Sequence, residues 1–178
     1  MDALLSNQVD LAVIANPRLD RRLNYETIIE ERISLVCSKT HPLFGRSTAK
    51  PNELRGLRFI SLTPETPSGQ LIRDHLAKLG VSVDVVVTTP SVGTVKRMVE
   101  VGLGVAFLPD MVTSEDLSCN GMSLNHLARI EVRPSLMRRV MLVTWKKFKC
   151  SQVIQAFIDD LRLHGTRWKG CVEPSSRR

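Results

Sequence analysis

Two stretches of the chain gather the side chains best suited to hold a small anion. Thr63-Pro64-Glu65-Thr66-Pro67-Ser68-Gly69 and Thr89-Pro90-Ser91-Val92-Gly93-Thr94 each place hydroxyls directly before a segment with helical apolar periodicity. There the unpaired N–H groups and the positive end of the helix dipole favour a carboxylate, sulfate or phosphate. The same hydroxyls at Ser68 and Ser91 also suit plain N-caps, with or without a ligand. Covalent chemistry has less to work with, since the nucleophile-elbow pattern G-x-S-x-G is absent. Cys37 and His41 are four residues apart, which brings side chains together only on a helix, whereas their segment reads as extended and is broken by Pro42. Gly102-Leu103-Gly104 lies between a helix and the next strand, the reverse of the order a phosphate loop needs, and reads as a helix stop and tight turn. His75 and His126 have no acid or cysteine at ligand spacing and read as surface or satisfied histidines. Cys37, Cys119, Cys150 and Cys171 are scattered without a C-x-x-C pair and read as buried or idle thiols. No catalytic residue, no metal and no cofactor is expected.

The elements that must position the two loops follow from periodicity. Residues 1–7 read as the end of a helix, and Asp10 to Ala15 as a buried strand stopped by Asn16-Pro17. Tyr25 to Glu31 and Ile33 to Cys37 are β-branched-rich and form two strands or one bent one. Pro51 to Leu54 suits a single helical turn, and Arg58 to Leu62 a strand. Leu71, Ile72, Leu76 and Leu79 recur at helical spacing, with Ser68 as N-cap and Gly80 as stop. Val83 to Thr88 is a strand, followed by a helix capped by Ser91 that carries Val92, Val95, Met98 and Val99 and ends before Gly102. Val105 to Leu108 then repeats the strand, so the order implies parallel pairing with a right-handed crossover. Beyond a short helix and a loop in 110–125, strands are expected at Ala128 to Val132 and Val140 to Trp145. A last helix is capped by Ser151, turns Val153, Ile154, Phe157, Ile158 and Leu161 inward, and stops at Gly165. Alternating strands and helices place the chain in the α/β class.

Composition bounds the rest. The chain has 178 residues, 43% apolar and 24% charged, with 25 Lys and Arg against 18 Asp and Glu for a net charge of +7. That suits one domain or two small lobes with a real core, and excludes global disorder. No apolar run approaches the roughly 20 residues of a membrane-spanning helix. An acid near the start, where a secretory signal carries cations, makes the expected location cytoplasmic. Arg133, Arg138, Arg139, Lys146, Lys147 and Lys149 form an acid-free run from Val132 to Ile158. Nucleic acid is one cause of such a run, and the solvated side of a strand is the commoner one.

The segments together resemble a known family. Leu5-Ser6-Asn7-Gln8-Val9-Asp10-Leu11-Ala12-Val13-Ile14 is similar to the "L-x-x-G-x-L-D-L-A-I" segment of the effector-binding domain of LysR-type transcriptional regulators. His41-Pro42-Leu43 resembles that family's "H-P-L" turn, and Leu54-Arg55-Gly56 its "L-x-G". Val99 to Pro109 resembles its "V-x-x-G-x-G-[IV]-x-x-[LV]-P" element, the most specific of these. The resemblance implies a type II periplasmic-binding-protein-like fold, two α/β lobes joined by two crossover strands with a small effector in the cleft. It places the first lobe at 1–61 and 144–165, the second at 62–143, and a flexible tail at 166–178. It assigns effector contacts to Thr63, Thr66, Pro67, Ser68, Gly69, Ser91, Val92 and Thr94, with Ile14 and Asn16 on the other lobe. Phe107 is a further candidate, with the core as its alternative.

Family members begin with a helix-turn-helix, a linker helix and further strands that have no counterpart here. The resemblance therefore implies an incomplete first lobe with exposed strand edges and apolar helix faces, and assigns DNA binding to no residue of this chain. The expected partners are a small anionic metabolite or inorganic anion and a further copy of the chain. Other readings are an enzyme or solute-binding protein on the same fold, or a dimerisation fragment that senses nothing.

Overall fold

The computed structural model describes residues 1–114, 127–147 and 150–169. Contacts divide the chain into two compact units, 1–31 with 138–178, and 32–137. The chain leaves the first unit within strand β2 (Leu23–Ser38) and returns to it within β8 (Leu136–Trp145). β2 is one continuous strand of 16 residues, not two. The family resemblance implies lobe boundaries near residues 61 and 143; the units defined by contacts change over after Glu31 and Met137. The reason is packing: Ile33, Leu35, Val36 and Cys37 are buried in the same core as Phe59, Val95, Val99 and Leu108.

In the first unit, helix α1 (Asp2–Leu5) precedes β1 (Leu11–Ala15), which pairs antiparallel with β8 from Leu11↔Thr144 to Ala15↔Val140. β8 lies between β1 and β2, so β1 is an edge strand. This corrects the buried strand expected there, for Val13 is 45% exposed. Ala12 and Ile14 pack on the cluster of Leu4, Leu23 and Val143, while Val13 points the other way by strand alternation. Across the sheet, Glu31 is fully buried and paired with Arg138.

Helix α5 (Gln152–Lys169) starts at Ser151, whose Oγ accepts from Ile154 N at 3.4 Å. It runs past Gly165 instead of stopping there. Gly165 is a close-approach glycine, since a Cβ would lie 2.6 Å from Ile28 Cγ2 and 2.8 Å from Ile28 O. That contact, with Arg162 bound to both carboxylate oxygens of Glu26, rolls the helix so that Ile158 is buried while Val153 and Phe157, both expected inward, are exposed. Residues 170–178 of the expected tail lie outside the described residues.

In the second unit, the later half of β2 pairs antiparallel with β6 (Ala106–Pro109) and β7 (Leu127–Val132), and β3 (Thr48–Ala49) joins β7 in parallel. β4 (Arg58–Leu62) and β5 (Asp84–Thr89) pair in parallel, and Phe59 bridges to Val105 in the same sense. Helix α2 (Pro67–Lys78) connects β4 to β5, and α3 (Val92–Glu100) connects β5 to β6. The parallel pairing expected between the Val83–Thr88 and Val105–Leu108 strands is not formed directly: β5 pairs with β4, and β6 pairs antiparallel with β2 and meets β4 only through the Phe59–Val105 bridge. Gly80 (φ 64°) and Gly102 (φ 81°) end the two helices in the left-handed conformation that glycine tolerates. The expected short helix is α4 (Asp110–Ser114), and residues 115–126, with Cys119 and His126, lie outside the described residues.

Candidate functional site

The two hydroxyl-rich loops lie side by side in the second unit. β4 and β5 pair in register to Leu62↔Thr89, so their carboxyl ends finish at the same level. There Thr63 N donates to Thr89 O at 3.1 Å, joining the loops directly.

The cap of α2 is Thr66, not Ser68. Thr66 Oγ1 accepts from Gly69 N at 3.0 Å and donates to Thr63 O at 2.8 Å. Pro67 follows as the first helical residue, where it lacks an amide that would otherwise need a partner. One residue further in, Ser68 is only 8% exposed, facing the interior. Gly69 is buried against the end of β4, with no space for a side chain before Thr63 O. Sequence order favours Ser68 as cap because it stands nearer the apolar repeat. The proline between the two hydroxyls is the signal for Thr66, because Pro at the first position points to the residue before it.

The cap of α3 is Ser91, as the sequence implies. Its Oγ accepts from Thr94 N at 3.2 Å, and its own N donates to Thr89 Oγ1 at 3.3 Å. Val92 and Gly93 carry the first-turn amides that this cap does not take up. Ser91 and Thr94 are exposed, and Thr63 and Thr66 are half-buried. Neither helix has an acid in its first turn, where the dipole favours an anion, and the one acid of the two loops, Glu65, is exposed just before the Thr66 cap.

Pro64, Gly69 and Thr88 also reach an apolar groove of about 550 Å³ whose walls include Leu62, Ile72, Leu76 and Val85. The sequence hides it, because Ile72 and Leu76 sit on the helical face that reads as core.

The remaining candidates are placed otherwise. Phe107 is 3% exposed, its ring 6.0 Å from Phe59 and 6.1 Å from an edge-on His75; it belongs to the core. His75 is buried as well, not a surface residue, and its Nε2 has no hydrogen-bond partner. Burial, then the nearby Lys78 charge, pushes its pKa down and keeps the ring neutral. In the first unit, Ile14 packs on the Leu4 cluster. Asn16 adopts a left-handed φ of 45°, and its Oδ1 accepts from Arg139 N at 3.0 Å. The other half of that amide, Nδ2, is buried without an acceptor.

A family model described as the LysR substrate binding domain matches residues 1–165. The chain belongs to that family. A probable RuBisCO transcriptional regulator of Cyanophora paradoxa is 26% identical over 164 residues, covering 89% of this chain and 49% of the relative. The HTH-type transcriptional regulator BudR of Raoultella terrigena is 21% identical, with 89% and 53% covered. The chain thus spans about half the length of the curated relatives it matches. Among solved structures, the Synechocystis PCC6803 CcmR regulatory domain in complex with 2-PG has a TM-score of 0.79 at 20% identity, over 92% of this chain and 77% of that one. The effector binding domain of QuiR in complex with shikimate gives 0.74 at 15%, over 93% and 76%. LysR regulatory domains have the type II periplasmic-binding-protein-like fold, and this chain shares it. No helix among the described residues is long and apolar enough to cross a membrane.

Proposed function

We propose that this chain is the small-molecule-sensing domain of a LysR-type transcriptional regulator, that it binds a small anionic metabolite in the cytoplasm, and that it performs no catalysis. One observation carries the reading: two hydroxyl-capped helix N-termini, those of α2 and α3, open beside each other at the carboxyl ends of adjacent parallel strands. In open parallel sheets that is where ligands bind. In this reading Thr63, Thr66, Ser91, Val92 and Thr94 contact the effector, while Pro67, Ser68 and Gly69 fix the loop that presents them. Asn16 is a separate proposed contact, supported by its buried and unpaired Nδ2. Effectors of this type are consistent with 2-PG and shikimate, which the two solved relatives hold. A ligand acts as a switch only if it binds two conformations of the domain unequally. Self-association is also part of the proposal, supported by the exposed Val153, Phe157 and Leu163 on α5.

Thermal unfolding against a panel of small carboxylates, phosphate esters, inorganic phosphate and sulfate tests the reading. An acid at 100 times its Kd stabilises by about 2.7 kcal/mol, a midpoint rise of about 5–10 °C for a chain of this size. Thr66→Ala with Ser91→Ala should abolish that rise while costing about 1 kcal/mol per lost cap. No response to any acid, or a response unchanged in the double variant, overturns the assignment.

A further inference from the structure

Basic residues are common in this chain, and among the described side chains of the first unit some are matched by acids and others are not. Arg138, Arg139 and Arg162 each carry a carboxylate, from Glu31, Glu30 and Glu26 respectively. Arg18, Arg21, Lys146 and Lys147 are exposed, and among the described residues none has an acidic partner. The fold ties together the two segments that carry these four. Lys146 N donates to Arg22 O at 3.0 Å, tying the turn after β8 to the loop before β2. The Tyr25 hydroxyl fixes that loop by accepting from Asp20 N at 2.6 Å and donating to Arg18 O at 3.1 Å. Arg22 is held by both oxygens of Asp20 and lies over the Trp145 ring, 5.8 Å from its centroid. Within the 18–22 loop Asp20 is the single acid, already engaged by Arg22, and the acid beside the neighbouring strand is Asp10, next to Leu11, which pairs with Thr144.

We propose that the 18–22 loop and the Lys146–Lys147 turn form a landing surface for the phosphate backbone of duplex DNA. An ordered, acid-poor group of cations attracts a polyanion and binds it by releasing its counterions. Leu19 is the only large apolar residue exposed within the loop, too little to anchor in a lipid surface, which needs an apolar face as well as charge. The choice of DNA rests on the reading of the chain as part of a transcriptional regulator. The contact carries no sequence information, because phosphates position a protein without specifying bases.

Binding of the full chain to a short duplex of arbitrary sequence, followed by fluorescence anisotropy from about 50 to 200 mM salt, tests the proposal. The variant Arg21→Ala/Lys146→Ala/Lys147→Ala is compared with Lys39→Ala/Arg73→Ala/Lys78→Ala, which removes the same charge from exposed positions of the other unit. Each lost phosphate contact lowers the salt slope by about 0.9, so the first variant should lose about 2.7 from its slope, making its salt-induced fall in affinity about 40-fold smaller. The second should keep the parent slope, and circular dichroism should show both folded. No binding at the low-salt end, equal losses in the two variants, or binding to phosphatidylserine vesicles without binding to the duplex overturns the proposal. The acid-panel experiment uses a different readout, so failure of the sensing assignment and failure of this surface are told apart.

Discussion

Gly69 and Gly93 both lie in the first turn of a helix, yet alanine at the two positions should shift stability in opposite directions. At Gly69 a Cβ would stand 2.1 Å from Thr63 O and 2.8 Å from Leu62 O, both of them backbone atoms that no rotamer change can move aside. Restoring van der Waals distance requires α2 to withdraw by about 1 Å from the end of β4. Overpacking of that kind costs about 1–3 kcal/mol, and the shift also weakens the Thr66 cap, worth about 1 kcal/mol. Against this stands the general gain of about 0.5–1 kcal/mol for replacing a helical glycine, leaving a net loss of about 1–3 kcal/mol. At Gly93 the nearest atom to a new Cβ is Ser91 Oγ at 3.9 Å, so only the gain remains. Urea unfolding at 25 °C should therefore move the Gly69→Ala midpoint down and the Gly93→Ala midpoint up, separated by about 2–4 kcal/mol. Since Gly69 N is the donor to the Thr66 cap, the first variant should also respond less to any acid that stabilises the parent. A parent-like midpoint for Gly69→Ala, or shifts of the same sign, would refute the packing argument.

Replacing either Glu31 or Arg138 by alanine removes the ion-pair partner of a buried charge and should cost about 3–5 kcal/mol, whereas Glu31→Leu with Arg138→Met should recover most of it; a double-mutant cycle in urea measures the difference. Because burial lowers the His75 pKa, the folded state disfavours the imidazolium, so stability present at neutral pH is lost as pH falls below the ordinary histidine value; His75→Leu should flatten that limb in melting curves taken between pH 7.5 and 5. Glu26 is held below the usual carboxylate range chiefly by its hydrogen bonds to Arg162, so its contribution is present above that range and lost as pH falls through it. The pair is half-exposed, and Arg162→Ala should cost at most about 1 kcal/mol at low salt and less in 1 M salt.

Much of the second unit was legible because its signals are local. Apolar spacing, Gly80 and Gly102 locate α2 and α3, and β-branched runs locate β4 and β5, each within a few residues of its observed ends. The first unit was less so. Whether β1 is buried depends on what pairs with its second edge, and the five residues Leu11–Ala15 look alike in either case. For α5, the spacing of Val153, Phe157 and Leu161 shows that one side is apolar, but the roll of the helix is set by Gly165 against Ile28 and Arg162 against Glu26, contacts with a strand far away in sequence. Hydroxyls before helices mark the loops of the candidate site, yet they point to a cap two residues too late, since a serine buried beneath a helix and one capping it have the same local pattern.

Charge shows the same limit most clearly. From Val132 to Ile158 the sequence presents one acid-free basic run, and composition alone treats its members as equivalent. Folding separates them, because the acids that answer Arg138 and Arg139 stand 107 and 109 residues away on β2. Those two arginines spend their charge within the sheet, while Lys146 and Lys147 are carried past its end to the loop that holds Arg18 and Arg21, where Lys146 N donates to Arg22 O, a loop the sequence places in another region altogether. The net charge of +7 is therefore a poor guide to binding. What a polyanion would meet is the charge left after strand pairing has matched each distant acid to its arginine, and that remainder can be located only once the register of β2 and β8 is known.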